Sequence, residues 1–431
     1  MSYIKSIKAR QILDSRGNPT VEVDLITKNN VIGRASVPSG ASKGINEAIE
    51  LRDEDNNFFL GKGVSKSVYN IRNIIAPELI GKSVLNQIDI DNLMLSLDGT
   101  NNKKKLGANS ILAVSIAAAK AASIELNIPI YNYIGGLYSH SLPIPLVNII
   151  NGGKHSNAPI AFQEFMIVPT KAKNLLESLK MIHKIFYQLK YILNKKGLST
   201  SLGDEGGFTP NLNGTEDVLN YILDAIYFSG YEPYDEIGIA IDCAASEFYE
   251  NNKYNYSKFE KNTETSSIKS REEHIQYLSF LINKYPIISI EDGMDQNDWK
   301  GWKMLTNEIG DQIQLVGDDL FVTQINKLKI GIDKKIANSI LIKLNQVGTL
   351  TETIDTINFA KSNKYKNIIS HRSGDTEDSF ISNLCVAFNI EQIKTGSICR
   401  SERTSKYNEL LRIEENLGKN SHYPKWEGNI N

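Results

Sequence analysis

Residues 287–318 read IISIEDGMDQNDWKGWKMLTNEIGDQIQLVGD, and this stretch decides the fold. It opens with a short run, Ile287 to Ile290, apolar but for Ser289, which is strand-length and stops at Glu291. Trp299 to Ile309 follows as an amphipathic segment, with Trp302, Leu305 and Ile309 recurring at helical spacing. A second short run, Gln314 to Val316, closes the unit just before Asp318. Strands that are mostly apolar and separated by helices predict a parallel sheet covered on both faces.

The same unit recurs on either side. Strands are expected at Gly238 to Ile241, Ser339 to Ile342, Asn367 to Ile369 and Glu391 to Ile393, and helices at His274 to Asn283, Thr349 to Lys361 and Thr376 to Phe388. With two earlier β-like segments, Leu146 to Ile150 and Glu164 to Val168, these are enough for a closed (β/α)8 barrel of TIM type. An open doubly wound sheet is the competitor, but no GxGxxG follows a strand and no GxxxxGK[ST] is present. Asn251 to Lys269 is polar and reads as a surface excursion. Before the barrel lies a smaller α+β unit. Pro19 to Thr27 alternates, Asn29-Asn30 turns, and Val31 to Val37 returns as a hairpin. Pro38 to Gly44 is too rich in Gly and Ser for regular structure, while Lys66 to Ile75 and Ala108 to Leu126 have helical character. Gly135-Gly136 through Pro145 reads as a linker, so the expected division is an N-terminal α+β domain over 1–135 and a barrel over 140–431.

Bulk properties agree. A chain of 431 residues exceeds one ordinary core, and 41% hydrophobic with 23% charged residues is normal for a globular enzyme. A net charge of -2 gives no general attraction to nucleic acid or anionic membrane. The longest apolar stretch, Ile111 to Ile124, is broken by Ser115 and Lys120 and falls short of the ~20 residues of a span. Cys243, Cys385 and Cys399 form no CxxC pair and are expected to be buried thiols. The first residues carry no apolar core of a signal peptide, so the cytoplasm is the expected location.

Each barrel strand ends in a chemically useful residue: Asp242, Glu291, Asp318, Lys343, His371 and Lys394. From Glu291 onward they stand 23 to 28 residues apart, one βα unit each. The C-terminal strand ends of a parallel barrel meet at one face, so three carboxylates and two lysines should converge there. Three carboxylates form a hard oxygen set suited to Mg²⁺. Two neighbouring ammonium groups lower one another's pKa, which suits one of them to act as a general base. A single Asp there could equally cap a helix. Gly203-Asp-Glu-Gly-Gly207 puts Glu205 in a glycine-rich loop that could also be a simple turn. His155, in Asn151-Gly-Gly-Lys-His155, is open between a structural and a functional role, with Gln163 and Glu164 at the next strand. Arg372-Ser373-Gly374 suits phosphate.

Taken together these segments resemble the enolase family. Ser39-Gly-Ala-Ser-Lys-Gly44 is similar to its mobile substrate loop and Leu341-Ile-Lys-Leu-Asn-Gln-Val-Gly-Thr-Leu350 to its signature around the catalytic lysine. Asp14 to Pro19, Gln163 to Phe165, Gly203 to Gly207, Ser289 to Asp292, Gly317 to Asp319, Ser370 to Gly374 and Gln392 to Gly396 match in order and spacing, over about residues 3 to 418. The resemblance implies reversible dehydration of 2-phosphoglycerate to phosphoenolpyruvate on a modified barrel with one early strand antiparallel. It implies a first Mg²⁺ on Asp242, Glu291 and Asp318, and a second that arrives with substrate and is held by Ser42. Lys343 would take the C2 proton. Glu205, supported by Glu164, would protonate the leaving hydroxyl. Lys394 and Gln163 would contact substrate, Arg372 and Ser373 would bind phosphate, and His155 and His371 would line the pocket.

The resemblance further implies a homodimer, octameric in some members, and a possible RNA-degradosome partner in bacteria. Family members are also reported at the cell surface. Glu291-Asp-Gly-Met294 is similar to the bacterial form, whereas Lys43 stands where many members have Thr. A sugar-acid dehydratase of the same superfamily would not need the Arg372-Ser373 grip or the Ser42 loop, and a non-catalytic relative would have lost catalytic residues.

Overall fold

The computed structural model describes residues 2–40, 44–260 and 268–426. Its N-terminal part is an antiparallel sheet of β1 (Ile4–Leu13), β2 (Pro19–Thr27) and β3 (Ile32–Ser36), with β2 in the middle. The hairpin expected from alternation is β2–β3. Strand β1 is unsignalled in the sequence because its register shifts between Ile4 and Ser6, which breaks the two-residue period. Helix Ala108–Glu125 packs on β2 and β3 and is buried on nearly every side, as its Ala-rich composition permits. It approaches so closely that a Cβ on Gly33 would stand 2.1 Å from the Ala117 carbonyl oxygen. Lys66 to Ile75 is helical only in part: Ser65–Asn70 is α-helix and Ile71–Ile75 widens to a π-turn. Helix Gln87–Asp98 is an addition to the sequence reading.

The remaining chain builds the barrel. Its first strands are β4 (Ile144–Asn151), β5 (Glu164–Pro169) and β6 (Ile237–Asp242). A small separate sheet follows, made of β7 (Tyr249–Glu250), β8 (Lys253–Asn255) and β9 (Ile268–Lys269). Then come β10 (Ile287–Glu291), β11 (Gln314–Gly317), β12 (Ser339–Ile342), β13 (Lys366–Ser370) and β14 (Gln392–Lys394). The closed order is β10-β11-β12-β13-β14-β4-β5-β6. All neighbours are parallel except that β5 runs antiparallel to both β4 and β6. The eight strands are almost wholly buried, which explains their mostly apolar runs.

Two expectations need correction. The segment 251–269, read as a surface excursion, buries Tyr254 and Tyr256 against His274, because the small sheet folds back on helix Arg271–Lys284; residues 261–267 of it lie outside the described residues. The helix expected at Thr376 begins only at Phe380 and ends at Ala387. Asp375 Oδ1 accepts from the Thr376 amide and Asp378 Oδ1 from the Phe380 amide, and these side-chain bonds hold 375–379 in turns. Cys243 and Cys385 are buried, whereas Cys399 is partly exposed.

Candidate active site

Register brings the predicted side chains to one mouth. Asp242 at the end of β6 is directly opposite Glu291 at the end of β10, and Ser370 on β13 is opposite Lys394 on β14. Because β5 is reversed, its first residue, Glu164, lies at this same end, level with Asp242 on one side and Asn151 on the other. Asp318 and Lys343 directly follow β11 and β12, and His371, Arg372 and Ser373 follow β13. The cavity at the mouth is lined by His155, Gln163, Glu164, Glu205, Asp242 and Lys343, with Ser370 to Ser373 and Lys394 completing the wall. Ser42 and Lys43 lie outside the described residues.

One half of the mouth is built of carboxylates and ammonium groups. Lys394, 2% exposed, reaches both Glu291 oxygens at 2.8 Å, Asp242 Oδ2 at 3.1 Å and Glu164 Oε2 at 3.3 Å. Burial alone would push this lysine down, but Asp242, Glu164 and Glu291 outweigh it and hold it well above its ordinary value. Lys343 donates directly to Asp318 Oδ2. Burial and the charges of Arg372 and Lys394 push Lys343 down, yet contact with Asp318 leaves it above its ordinary value. The mutual lowering expected of the two lysines is therefore present but overruled. Burial, with Asp242 next, pushes Glu291 up to about 8.

The backbone around these groups is held unusually. Asp292 has φ +41°, and its carboxylate accepts the amides of Asp318 and Asp319, both at 2.9 Å. Val322 (φ +43°) and Thr323 (φ +55°) are β-branched residues in the left-handed region, a conformation costing about 1–3 kcal/mol each that the surroundings must impose. Thr323 Oγ1 accepts the Lys343 amide at 2.9 Å and donates to Gln346 Oε1 at 2.7 Å, while Gln346 Nε2 donates to Asp318 Oδ1 at 2.9 Å. His274 Nε2 donates to the Gly293 carbonyl at 2.7 Å, which steadies the turn after Glu291.

The other half pairs carboxylates with histidines. Glu205 reaches the mouth from a loop, where Asn148 Nδ2 donates to its Oε2 at 3.2 Å. Its Oε1 lies 3.3 Å from His371 Nε2 and 3.8 Å from His155 Nδ1, and His155 Nδ1 lies 3.6 Å from Glu164 Oε1. Burial and the Glu205 charge push Glu164 well above the ordinary carboxylate value, against the pull of Lys394. Burial acts the same way on Glu205, but His371 and His155 outweigh it and hold it well below. Arg403, fully buried, donates from Nη1 to His371 Nδ1 at 2.6 Å. Arginine cannot accept, so His371 carries its proton on Nε2, facing Glu205. Burial, first, and Arg403 keep His371 neutral, near 4.

Two comparisons with known families bear on this arrangement. The N-terminal domain model of enolase matches residues 4–134, and the enolase C-terminal TIM barrel domain model matches 139–429. The chain belongs to the enolase family. The reversed β5 and the acid-rich mouth are thus features of an enolase-family barrel.

Two groups of ligand atoms gather within 4.8 Å of one another among the described residues: His155 with Glu164 and Glu205, and Asp292 with Asp318 and Asp319. The set read from the sequence, Asp242, Glu291 and Asp318, forms no such group, because Lys394 joins Asp242 to Glu291 while Lys343 takes Asp318. All three are buried oxygen donors, with the Asp292 and Asp319 carboxyls beside them; burial and the neighbouring carboxylates push Asp292 well up and Asp319 to about 7, the mark of acids crowded together. This donor set fits a hard divalent cation. The orphaned buried atoms His155 Nε2 and Gln163 Oε1 further mark the cavity as a site for a polar ligand. No helix among the described residues is long and apolar enough to cross a membrane.

The sequence reading missed Asp292 and Asp319, although each directly follows a residue it chose. It also missed Gln346, Thr323, Arg403 and Glu47, none of which ends a strand.

Proposed function

We propose that this enolase-family chain interconverts 2-phosphoglycerate and phosphoenolpyruvate, as an EC 4.2.1.11 hydro-lyase of glycolysis and gluconeogenesis. The observation that carries the reading is the division of one mouth into a lysine–carboxylate half and a carboxyl–histidine half, with Arg372 and Ser373 on the same cavity wall. Dehydration needs a base at C2 and an acid at the C3 hydroxyl, and the two halves supply one each.

Lys343 takes the C2 proton as the free amine, a form open to it only once Asp318 no longer holds its ammonium group. A proton from the Glu164–Glu205 pair goes to the departing C3 hydroxyl, which leaves as water, and the C2–C3 double bond forms with the electrons left at C2. Glu164 keeps that pair supplied, since burial and its neighbour's charge favour its neutral form. Lys394 offsets the substrate carboxylate, Gln163 contacts substrate, Arg372 and Ser373 grip the phosphate, and His155 and His371 wall off water. Asp242, Glu291 and Asp318 would hold Mg²⁺, and Ser42 a second ion that enters with substrate. When bound, Mg²⁺ supplies positive charge against the carboxylate and the enolate.

The test is to mix purified protein with 2-phosphoglycerate and follow the ultraviolet absorbance of the enol phosphate, with Mg²⁺ and then with excess chelator. A Mg²⁺-dependent rise is the expected result. No rise with folded protein and Mg²⁺ present, together with turnover of a sugar acid, would replace the reading by a related dehydratase.

A further inference from the structure

Arg372 lines the cavity, but its guanidinium is aimed by a residue from the other end of the chain. Nη1 donates to Glu47 Oε2 at 3.0 Å and Nη2 donates to Glu47 Oε1 at 3.1 Å, a two-pronged pair in which both side chains are buried. A third bond runs from Nη1 to Asn345 Oδ1 at 3.0 Å. Two parallel bonds fix the plane of a guanidinium as well as its position. Glu47 Oε1 also accepts the Gly44 amide at 3.1 Å and Gln346 Nε2 at 3.4 Å. The Glu47 amide returns a bond to the Gly44 carbonyl at 3.1 Å. One carboxylate thus joins the segment that follows the glycine-rich loop, the arginine at the mouth, and the glutamine that holds Asp318.

From this geometry we infer that Glu47 is a positioning residue for phosphate recognition, fixing the orientation in which Arg372 meets the phosphoryl group of the substrate. The inference rests on the reading of Arg372 given under Proposed function. Its alternative is electrostatic. Glu47 is an anion close to a site for another anion, and if charge alone mattered its removal would strengthen phosphate binding. The surroundings of Arg372 favour the positioning role. After Glu47, the charges that act on the guanidinium most are Asp318 and Asp319, on the carboxylate side of the mouth. Without Glu47 the guanidinium is drawn toward those carboxylates and away from the phosphate. The two accounts therefore predict opposite signs.

The experiment compares wild type with Glu47→Gln, which keeps the shape and loses the charge. The readouts are KM and kcat for 2-phosphoglycerate, and the affinity for inorganic phosphate by calorimetry. The expected result is that KM rises and phosphate affinity falls by about tenfold or more, the loss of a mis-aimed charged hydrogen bond, while kcat changes less. Glu47→Asp, which keeps the charge on a shorter arm, should recover part of that loss. In an Arg372→Ala background Glu47→Gln should add nothing, because it acts through that arginine. A Glu47→Gln protein with unchanged or tighter phosphate affinity overturns the inference, as does a thermal midpoint that falls while KM holds. If Glu47→Gln fails to fold, Glu47→Asp decides by the same readouts. A wild type that does not turn over 2-phosphoglycerate overturns the underlying reading and this inference together. A wild type that does, beside variants with unaltered KM, overturns this inference alone.

Discussion

The two halves of the barrel mouth solve the problem of buried carboxylates in different ways. On the β10–β12 side, Glu291 and Asp318 are offset by full charges, the ammonium groups of Lys394 and Lys343. On the β4–β6 side, Glu205 faces two histidine rings, and Glu164, pushed up by burial, is reached by Lys394 from the other half. The Lys343 ammonium holds Asp318 below the usual carboxylate range, whereas burial lifts Glu291 to about 8 even with Lys394 against it. Burial, with Arg403 donating to His371 Nδ1, keeps the His371 ring neutral, so it meets Glu205 with an N–H rather than a full charge. The difference teaches that one half sets carboxylates against full positive charges and the other against neutral rings, which on the proposed function holds charge in the first and stores a proton in the second.

The largest effect should come from the charge-holding half. Lys343→Ala should lower kcat by about 10³–10⁴-fold, the usual upper range for loss of a general base. Mg²⁺ affinity measured by calorimetry should be retained or raised, since Asp318 loses a competing ammonium. Near-normal turnover would break the comparison. Next, Glu205→Gln should cost about 10²–10³-fold in kcat, as loss of acid assistance does. A comparable loss from Glu164→Gln would locate the stored proton on the pair rather than on one residue. Third, Asp292→Asn tolerates the left-handed backbone but weakens the grip on the Asp318 and Asp319 amides. Its Mg²⁺ affinity should fall about 10–100-fold, the cost of losing a partner behind a ligand.

Acid stability sharpens the histidine side. His371, beside Glu205, and His274, in the tyrosine cluster, are both held down to about 4 by burial. A depressed folded pKa adds stability that is complete above the unfolded value near 6.5 and is lost as pH falls toward 4, up to about 3 kcal/mol for each. The thermal midpoint should fall across that window, and a level midpoint would mean these rings carry protons in the fold. The smallest effect belongs to the N-terminal sheet. Arg34, with a side chain 59% exposed, pairs with Asp24, and Arg34→Ala should cost no more than about 1 kcal/mol in denaturant titration.

What the sequence made legible follows from this geometry. Strand ends could be read because a polar residue after a mostly apolar run is visible in a one-dimensional string; Asp242, Lys343, His371 and Lys394 line the mouth, and Glu291 and Asp318 are bonded to its two lysines. Glu205 could be read from the glycines around it. The direction of the Lys343 shift could not, because it depends on which carboxylate touches the ammonium group. Arg403 and Glu47 were hidden for a related reason. Arg403 sits in helix Ser401–Leu417 and Glu47 in an irregular segment of the other domain, and each acts on 371–373 across the fold. The late start of the helix at Phe380 was hidden because Asp375 and Asp378 compete for backbone amides in a stretch whose composition suits a helix.

The reversal of β5 imposes a rule of parity on the chain. A strand that descends from the mouth finishes at the far end, at Pro169, and the next ascending strand, β6, must begin at that far end too. A single helix would deliver the chain to the wrong side, so the connection needs an even number. It has two long ones, Leu175–Lys195 going up and Thr215–Phe228 coming down. Between them the chain has to cross the mouth once more, and it is on that extra crossing that Glu205 is carried. Elsewhere in the barrel a strand end brings each functional residue to the mouth. Here Glu205, the proton donor of the proposed function, is set on the same cavity as Lys343 by an arithmetic of odd and even, in a segment that belongs to no strand.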